Sequence, residues 1–332
     1  MWGGESRISV QAPLTAVRTI LALLLAIGLA GCGAGTSTIA PDPSSNPSTP
    51  TPTTPPVSGA HSVFVTSFGS GGRLVQVDDM TGAGWASWGE GIGDVALDSA
   101  GRIYMTDLVN HRIMRMDDMT GAGMVAFGTR GSGVNQFSSP IGIYVDAAGR
   151  IYVSDQSNHR VVRIDDMTGA GWTTVGGLQG TGRLQFRHPR GIFVDARGRI
   201  YIADWINHRI VRIDDMRGAG WTTLGAPNSG LLGGPVDVAV DAAGRIYITD
   251  PGRGVVRADD MSGAGWTVFG GSGVNRLSSV AGVFVDGANR IYVADLGNNR
   301  IVRIDDMDGT GWVALGSAGT NRFDMPYGIF AR

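Results

Sequence analysis

The chain of 332 residues contains no lysine, and all 27 of its basic residues are arginine. Glutamate is nearly as scarce, with only Glu5 and Glu90 among 29 acidic residues. Lysine and glutamate suit solvated helices, whereas aspartate suits turns, so long helices are not expected. The single cysteine, Cys32, has no partner with which to staple a fold. A net charge of -2 gives no bulk attraction to nucleic acid or anionic lipid. The longest apolar run, residues 19–29, falls short of the roughly 20 residues that a stable spanning helix needs. What is plentiful is glycine, at 53 residues, and with so much aspartate it points to a globular β protein dense in tight turns.

The N-terminus reads as targeting rather than fold. Arg7 and Arg18 precede the apolar run, which ends in Leu29-Ala30-Gly31-Cys32. These four residues resemble the lipobox of bacterial lipoproteins. The resemblance implies a signal peptide over residues 1–31, cleavage before Cys32, and lipidation of Cys32 that anchors the chain to a membrane. The alternative is an ordinary secretory signal with an incidental cysteine. Gly33 follows the cysteine, where no aspartate stands, which in a diderm looks like sorting to the outer membrane. Residues 32–60 carry seven of the 14 prolines amid Gly, Ser and Thr, and show no apolar periodicity. They form a tether that, in a polyproline II conformation, reaches roughly 85 Å at about 3.1 Å per residue.

From residue 61 onward the chain repeats itself. Gly-Arg-Ile-Tyr recurs at Arg102, Arg150, Arg199 and Arg245, with Asn289-Arg290-Ile291-Tyr292 as a fifth copy, and an Asp-Asp-Met turn begins at Asp78, Asp117, Asp165, Asp214, Asp259 and Asp305. The copy over residues 191–225 resolves into four short strands separated by turn residues. Four strands per unit, at this spacing, mean a β-propeller. The first copy lacks its first strand, and residues 322–330 supply one with nothing after it. The two halves make one blade, so the chain is all-β: a six-bladed β-propeller of four-stranded blades over 61–332, the ring closed by the C-terminal strand pairing into the first blade.

The pattern P-x-G-I-x-V-D-x-x-G-R-I-Y-V-x-D-x-x-N-H-R-I-V-R-I, fullest over residues 140–164 and 189–213, resembles the NHL repeat. Propellers of that kind bind protein, carbohydrate or RNA, and a minority are metal-dependent lyases or lactonases, so the resemblance implies a fold more than a function. An extracytoplasmic address and the want of lysine speak against RNA.

The repeated polar residues read first as scaffold. Asp98, Asp146, Asp195, Asp241 and Asp286 precede tight turns, and Asp107, Asp155, Asp204, Asp250 and Asp295 are spaced to bond neighbouring loops. His111, His159 and His208 invite a zinc reading, but equivalent positions on successive blades stand on the order of 10 Å apart, given strands about 4.7 Å apart, too far for one ion. The Asp-Asp-Met carboxylates are expected to pair around the rim with Arg102, Arg150, Arg199, Arg245 and Arg290. The repeated Trp and Met are expected to pack between blades.

Function on a propeller is sought where one copy differs from its siblings, in the loops. The connections between blades carry Arg130, Arg183, Arg187, Arg190, Arg276 and Arg322 on one face, with the Asp-Asp turns expected on the other. The connection 177–188 is the richest, and beside it stands Trp205, off the repeated Trp position. Arg183, Phe186, Arg187, His188 and Trp205 are therefore the candidate contact surface, although Phe186 recurs as Phe137 and Phe323 and so also fits a plug between blades. The expected role is a binding scaffold for a protein or polysaccharide, monomeric, without a cofactor or nucleic-acid partner. The alternative is an enzyme with a metal at the channel mouth, for which only Asp94 and Asp237 stand at the starts of first strands, with His188 just outside.

Overall fold

A computed structural model of the chain describes residues 62–69, 71–273, 275–316 and 322–332. The signal, Cys32 and the tether lie outside the described residues. Those described form six four-stranded antiparallel sheets, arranged as the blades of a propeller, and a two-residue parallel pair between Thr129–Arg130 and Gln136–Phe137. Blade four shows the plan. Its strands are Pro189–Val194, Ile200–Asp204, Arg209–Ile213 and Thr222–Gly225, paired in sequence order from the axis outward. The first strands of the other blades are Ile92–Leu97, Pro140–Val145, Asp237–Val240, Val280–Val285 and, for blade one, Pro326–Ala331.

The ring closes as expected: Pro326–Ala331 pairs antiparallel with Val63–Ser67, and Ser62 and Arg332 exchange backbone hydrogen bonds at its end. Apolar residues of each blade pack against those of the next. The cluster joining blades two and three, for instance, takes Ala96, Tyr104 and Ile113 from one and Ile143, Val153 and Val162 from the other, with Trp172 packed on its edge. The repeated Trp and Met residues thus take the inter-blade positions that periodicity suggested.

The turn aspartates behave as scaffold. Asp98 accepts from the Ala100 and Arg102 backbone N–H groups and ion-pairs with the Arg102 side chain at 2.6 Å, and Asp146, Asp195, Asp241 and Asp286 repeat the pattern. This corrects the expected rim pairing. Those five arginines are held within their own first turns, while the Asp-Asp-Met turns meet a different set, as in Arg163–Asp165 at 3.3 Å and Arg303–Asp305 at 3.8 Å.

The second aspartate set binds the inter-blade connections. Asp155 accepts from the Ser138 N–H, Asn158 and Arg160; Asp204 accepts from the Arg187 N–H, Asn207 and Arg209. Arg160 and Arg209 then reach the carbonyls of the loop beside them, Arg209 donating to Thr181, Gly182 and Gln185. In blade one Ser67 replaces the aspartate, and its hydroxyl both donates to the Asp324 carbonyl and accepts from the Asp324 N–H. A connection tied at so many backbone groups is a rigid platform, which is what a loop needs if it is to carry a site.

Candidate binding site at the axis and top face

The connections between blades and the loops from second to third strands share one face, here called the top. Each first strand starts from that face, so the residues at its start ring the axis. In four blades they include glycine, and the reason is space: a Cβ on Gly142 would collide with the Arg190 carbonyl, one on Gly282 with the Tyr327 carbonyl, one on Gly191 with Asp237 and one on Gly328 with Asp94. The other two blades, on opposite sides of the ring, carry Asp94 and Asp237.

Both carboxylates face inward and are held by backbone. Asp94 accepts from the Val95 N–H at 2.8 Å and from the Ile143 N–H of the next blade at 3.1 Å; Asp237 accepts from Val238 at 2.8 Å and from Val283 of the next blade at 2.9 Å. Threonines complete the staple: the Thr106 hydroxyl accepts from the Asp94 N–H and donates to the Ile141 carbonyl, and Thr249 does the same between Asp237 and Ala281. Burial pushes the Asp94 carboxyl up to about 7, against two N–H groups that favour its anion. Burial and then the Asp94 charge push Asp237 well above the ordinary carboxylate range. The pair therefore keeps a proton well above the acid range in which carboxyls ordinarily ionise.

The start of blade four's first strand holds Arg190 where other blades have Gly93, Ile141, Val236 and Ala281. Its guanidinium carbon lies 3.4 Å from the centroid of the Trp205 ring, a close cation–π contact. The residue is 5% exposed. Its Nε finds no hydrogen-bond partner among the described residues, while the buried Tyr327 hydroxyl lies within reach of the guanidinium, which acts on the phenol both as a hydrogen-bond donor and as a charge. Burial lowers the Arg190 pKa and, foremost, raises that of Tyr327. Tyr327 in turn stacks on Phe68, with centroids 4.4 Å apart. Asp94, Arg190, Asp237 and Tyr327, with the glycines, line an axial cavity of about 10 Å³, room for roughly one water molecule.

The residues singled out from the sequence are placed unequally. Phe186 is fully buried in the core between blades three and four, beside Trp221, and is a plug, so it leaves the contact surface. Trp205 supports Arg190 rather than standing free. His188 adopts a left-handed backbone, its N–H donates to His159 Nδ1 at 3.2 Å, and its ring meets His159 edge-on. Burial first, then His159 and the arginines, lower its pKa to about 4. Ser139 makes the same bond to His111 Nδ1, so this histidine cap is a repeated structural device. Arg183 donates to the Gly218 carbonyl in the Asp-Asp-Met turn of blade four, which shows that these connections lean over the rim to the turns expected on the opposite face. Arg187 keeps a half-buried side chain on the top face. Arg190 and Tyr327 were missed as a site, although the sequence carried the signal of a charged or aromatic residue at a position where its siblings are small or aliphatic.

Asp94 and Asp237 meet at the axis as the metal alternative required, but the donor set does not suit a divalent cation. Among the described residues no third His, Cys, Asp or Glu joins them, a guanidinium shares the cavity, and calcium takes six to eight oxygens.

The fold is a six-bladed propeller whose axis is lined at the top by Asp94, Arg190, Asp237 and Tyr327. The NHL repeat family matches residues 137–164 and 186–213, so blades three and four carry NHL repeats within the six-bladed propeller. Among solved structures, the chain is similar to one of a nidogen/laminin complex, with 20% identity, a TM-score of 0.61, and coverage of 82% of this chain and 98% of that one. It is also similar to a catalytically inactive virginiamycin B lyase from Staphylococcus aureus solved with quinupristin (16% identity, TM-score 0.54, 72% and 73% covered). A third is a protein of unknown function from Bacteroides caccae (14% identity, TM-score 0.59, 82% and 99% covered). Identities this low speak for the fold alone. No curated protein matches the chain.

Proposed function

We propose that the chain is a lipid-anchored, extracytoplasmic binding module that grips a protein partner with the top face of its propeller. The observation that carries this reading is a set of large apolar side chains held out on rigid top-face loops. Val134 and Leu178 are each 68% exposed in the connections that Arg160 and Arg209 brace, and Val109 and Leu231 are exposed on the same face. Exposed apolar loop residues, supported by a braced backbone, suit burial against another protein better than contact with a polysaccharide. The side chain of Arg187, which forms no ion pair among the described residues, adds a cation to the same face.

The axial cavity of about 10 Å³ supports this reading over catalysis on an organic substrate, since it admits no more than a small polar group. The proposed address rests on the resemblance of Leu29 to Cys32 to a lipobox, with lipid on Cys32 holding the chain at the membrane. A photo-crosslinking residue placed at Leu178 tests the surface. It is expected to give a protein adduct in intact cells, while the same residue at Ala147, in an exposed turn of the bottom face, gives none. Adducts from Ala147 alone would place the contact on the wrong face.

A further inference from the structure

We infer that Arg190 and Tyr327 form a one-oxygen anion site at the top of the axis, and that its occupant is the carboxylate of an acidic side chain that the protein partner inserts there. The inference rests on the top-face reading above and says what the centre of that face recognises.

The other deeply buried arginines show why Arg190 is exceptional. Arg160 and Arg209 are each paired with an aspartate at 2.8 Å and donate further bonds to loop carbonyls. Arg190 is buried as deeply and forms no ion pair among the described residues, and its Nε has no partner. A buried cation without a counter-charge costs several kcal/mol on the general scale, so a position that keeps one calls for an anion supplied from elsewhere. The guanidinium is fixed from behind by the Trp205 ring, which leaves its edge free to donate. The Tyr327 hydroxyl, whose oxygen lies against the Arg190 guanidinium, keeps its own proton to donate into the same cavity.

Size selects the ligand. The cavity takes one oxygen-sized atom, which the tip of a carboxylate supplies. Burial raises the pKa of Asp94 to about 7 and that of Asp237 well above the carboxylate range, which limits the negative charge that an entering carboxylate meets. Arg187, on the same face, adds attraction during approach.

The test uses the full chain labelled with ¹⁵N-tryptophan, the Trp205 indole signal being assigned through Trp205→Phe, and formate as the probe. Formate is expected to shift that signal saturably at millimolar concentrations, with chloride giving no saturable shift. Arg190→Met should abolish the response, and Tyr327→Phe should weaken it tenfold or more. No saturable shift in the wild type, or the same shift in Arg190→Met, would overturn the inference and leave only an ordered water on the axis. Should Arg190→Met fail to fold, Tyr327→Phe decides alone. The two readings fail separately: loss of crosslinking at Leu178 with formate binding intact defeats the protein-binding surface, whereas crosslinking without formate binding defeats the anion site.

Discussion

Two groups of charged residues in this propeller are equally buried and differently used. Between the blades, Arg160 with Asp155 and Arg209 with Asp204 close networks in which each guanidinium finds a carboxylate and loop carbonyls. At the axis, two carboxyls share their bonds with backbone N–H groups while Arg190 lies against Tyr327 and forms no ion pair among the described residues. The difference separates repetition from specialisation. A charge that recurs in register and is satisfied locally holds the ring together, whereas one that occurs once and is left unsatisfied is available to a ligand.

The largest expected effect comes from breaking a satisfied network. Asp204→Ala leaves Arg209 buried without its carboxylate and frees the Arg187 N–H and Asn207, at a cost of about 3–5 kcal/mol, measurable as a drop in the denaturant midpoint. The axial carboxyls should instead reveal themselves through pH. Asp94 binds its proton more tightly folded (about 7) than unfolded (3.8), so its contribution is complete below the lower value and is lost as pH rises through the higher one. Stability should fall between these limits by on the order of 4 kcal/mol at most. Asp94→Asn should flatten that slope, and a slope unchanged by the substitution would show that the carboxyls are not the titrating groups.

Smaller effects sharpen the contrast further. Gly142→Ala drives a Cβ against the Arg190 carbonyl and should cost about 1–3 kcal/mol, with the Trp205 fluorescence altered because the strand bearing Arg190 must move. At the rim, Arg163→Ala removes a half-exposed pair with Asp165 and should shift stability by less than about 1 kcal/mol. A larger loss there would mean that the rim arginines do more than solvate the turns.

Much of this architecture was legible in the sequence because its determinants are local. Turn chemistry at Asp98 to Arg102 and the period of the Asp-Asp-Met turns define blades, and the half-blade at each end, Val63–Ser67 and Pro326–Ala331, foretells the closure. The aspartates at 107, 155 and 204 were legible as scaffold because their partners lie within a few residues or in the adjoining loop. The axis was only half legible. Asp94 and Asp237 stood out as carboxylates at strand starts, but Arg190, Tyr327 and Trp205 meet only once six strand starts converge, and no spacing along the chain encodes that meeting. Phe186 was legible both as a contact residue and, from its recurrence as Phe137 and Phe323, as a plug; the structure settles on the plug, with a bridge to Gln179 and the ring buried at the junction between blades.

The most direct test of the division between scaffold and site is a double variant, Val134→Asp with Leu178→Asp, compared with the wild type for both melting temperature and yield of the Leu178-region adduct, the crosslinking residue being moved to Val109. The account predicts a melting temperature within a few degrees of wild type, since both side chains are exposed, together with loss of the adduct. An undiminished adduct at unchanged stability would contradict it and place the partner elsewhere on the ring.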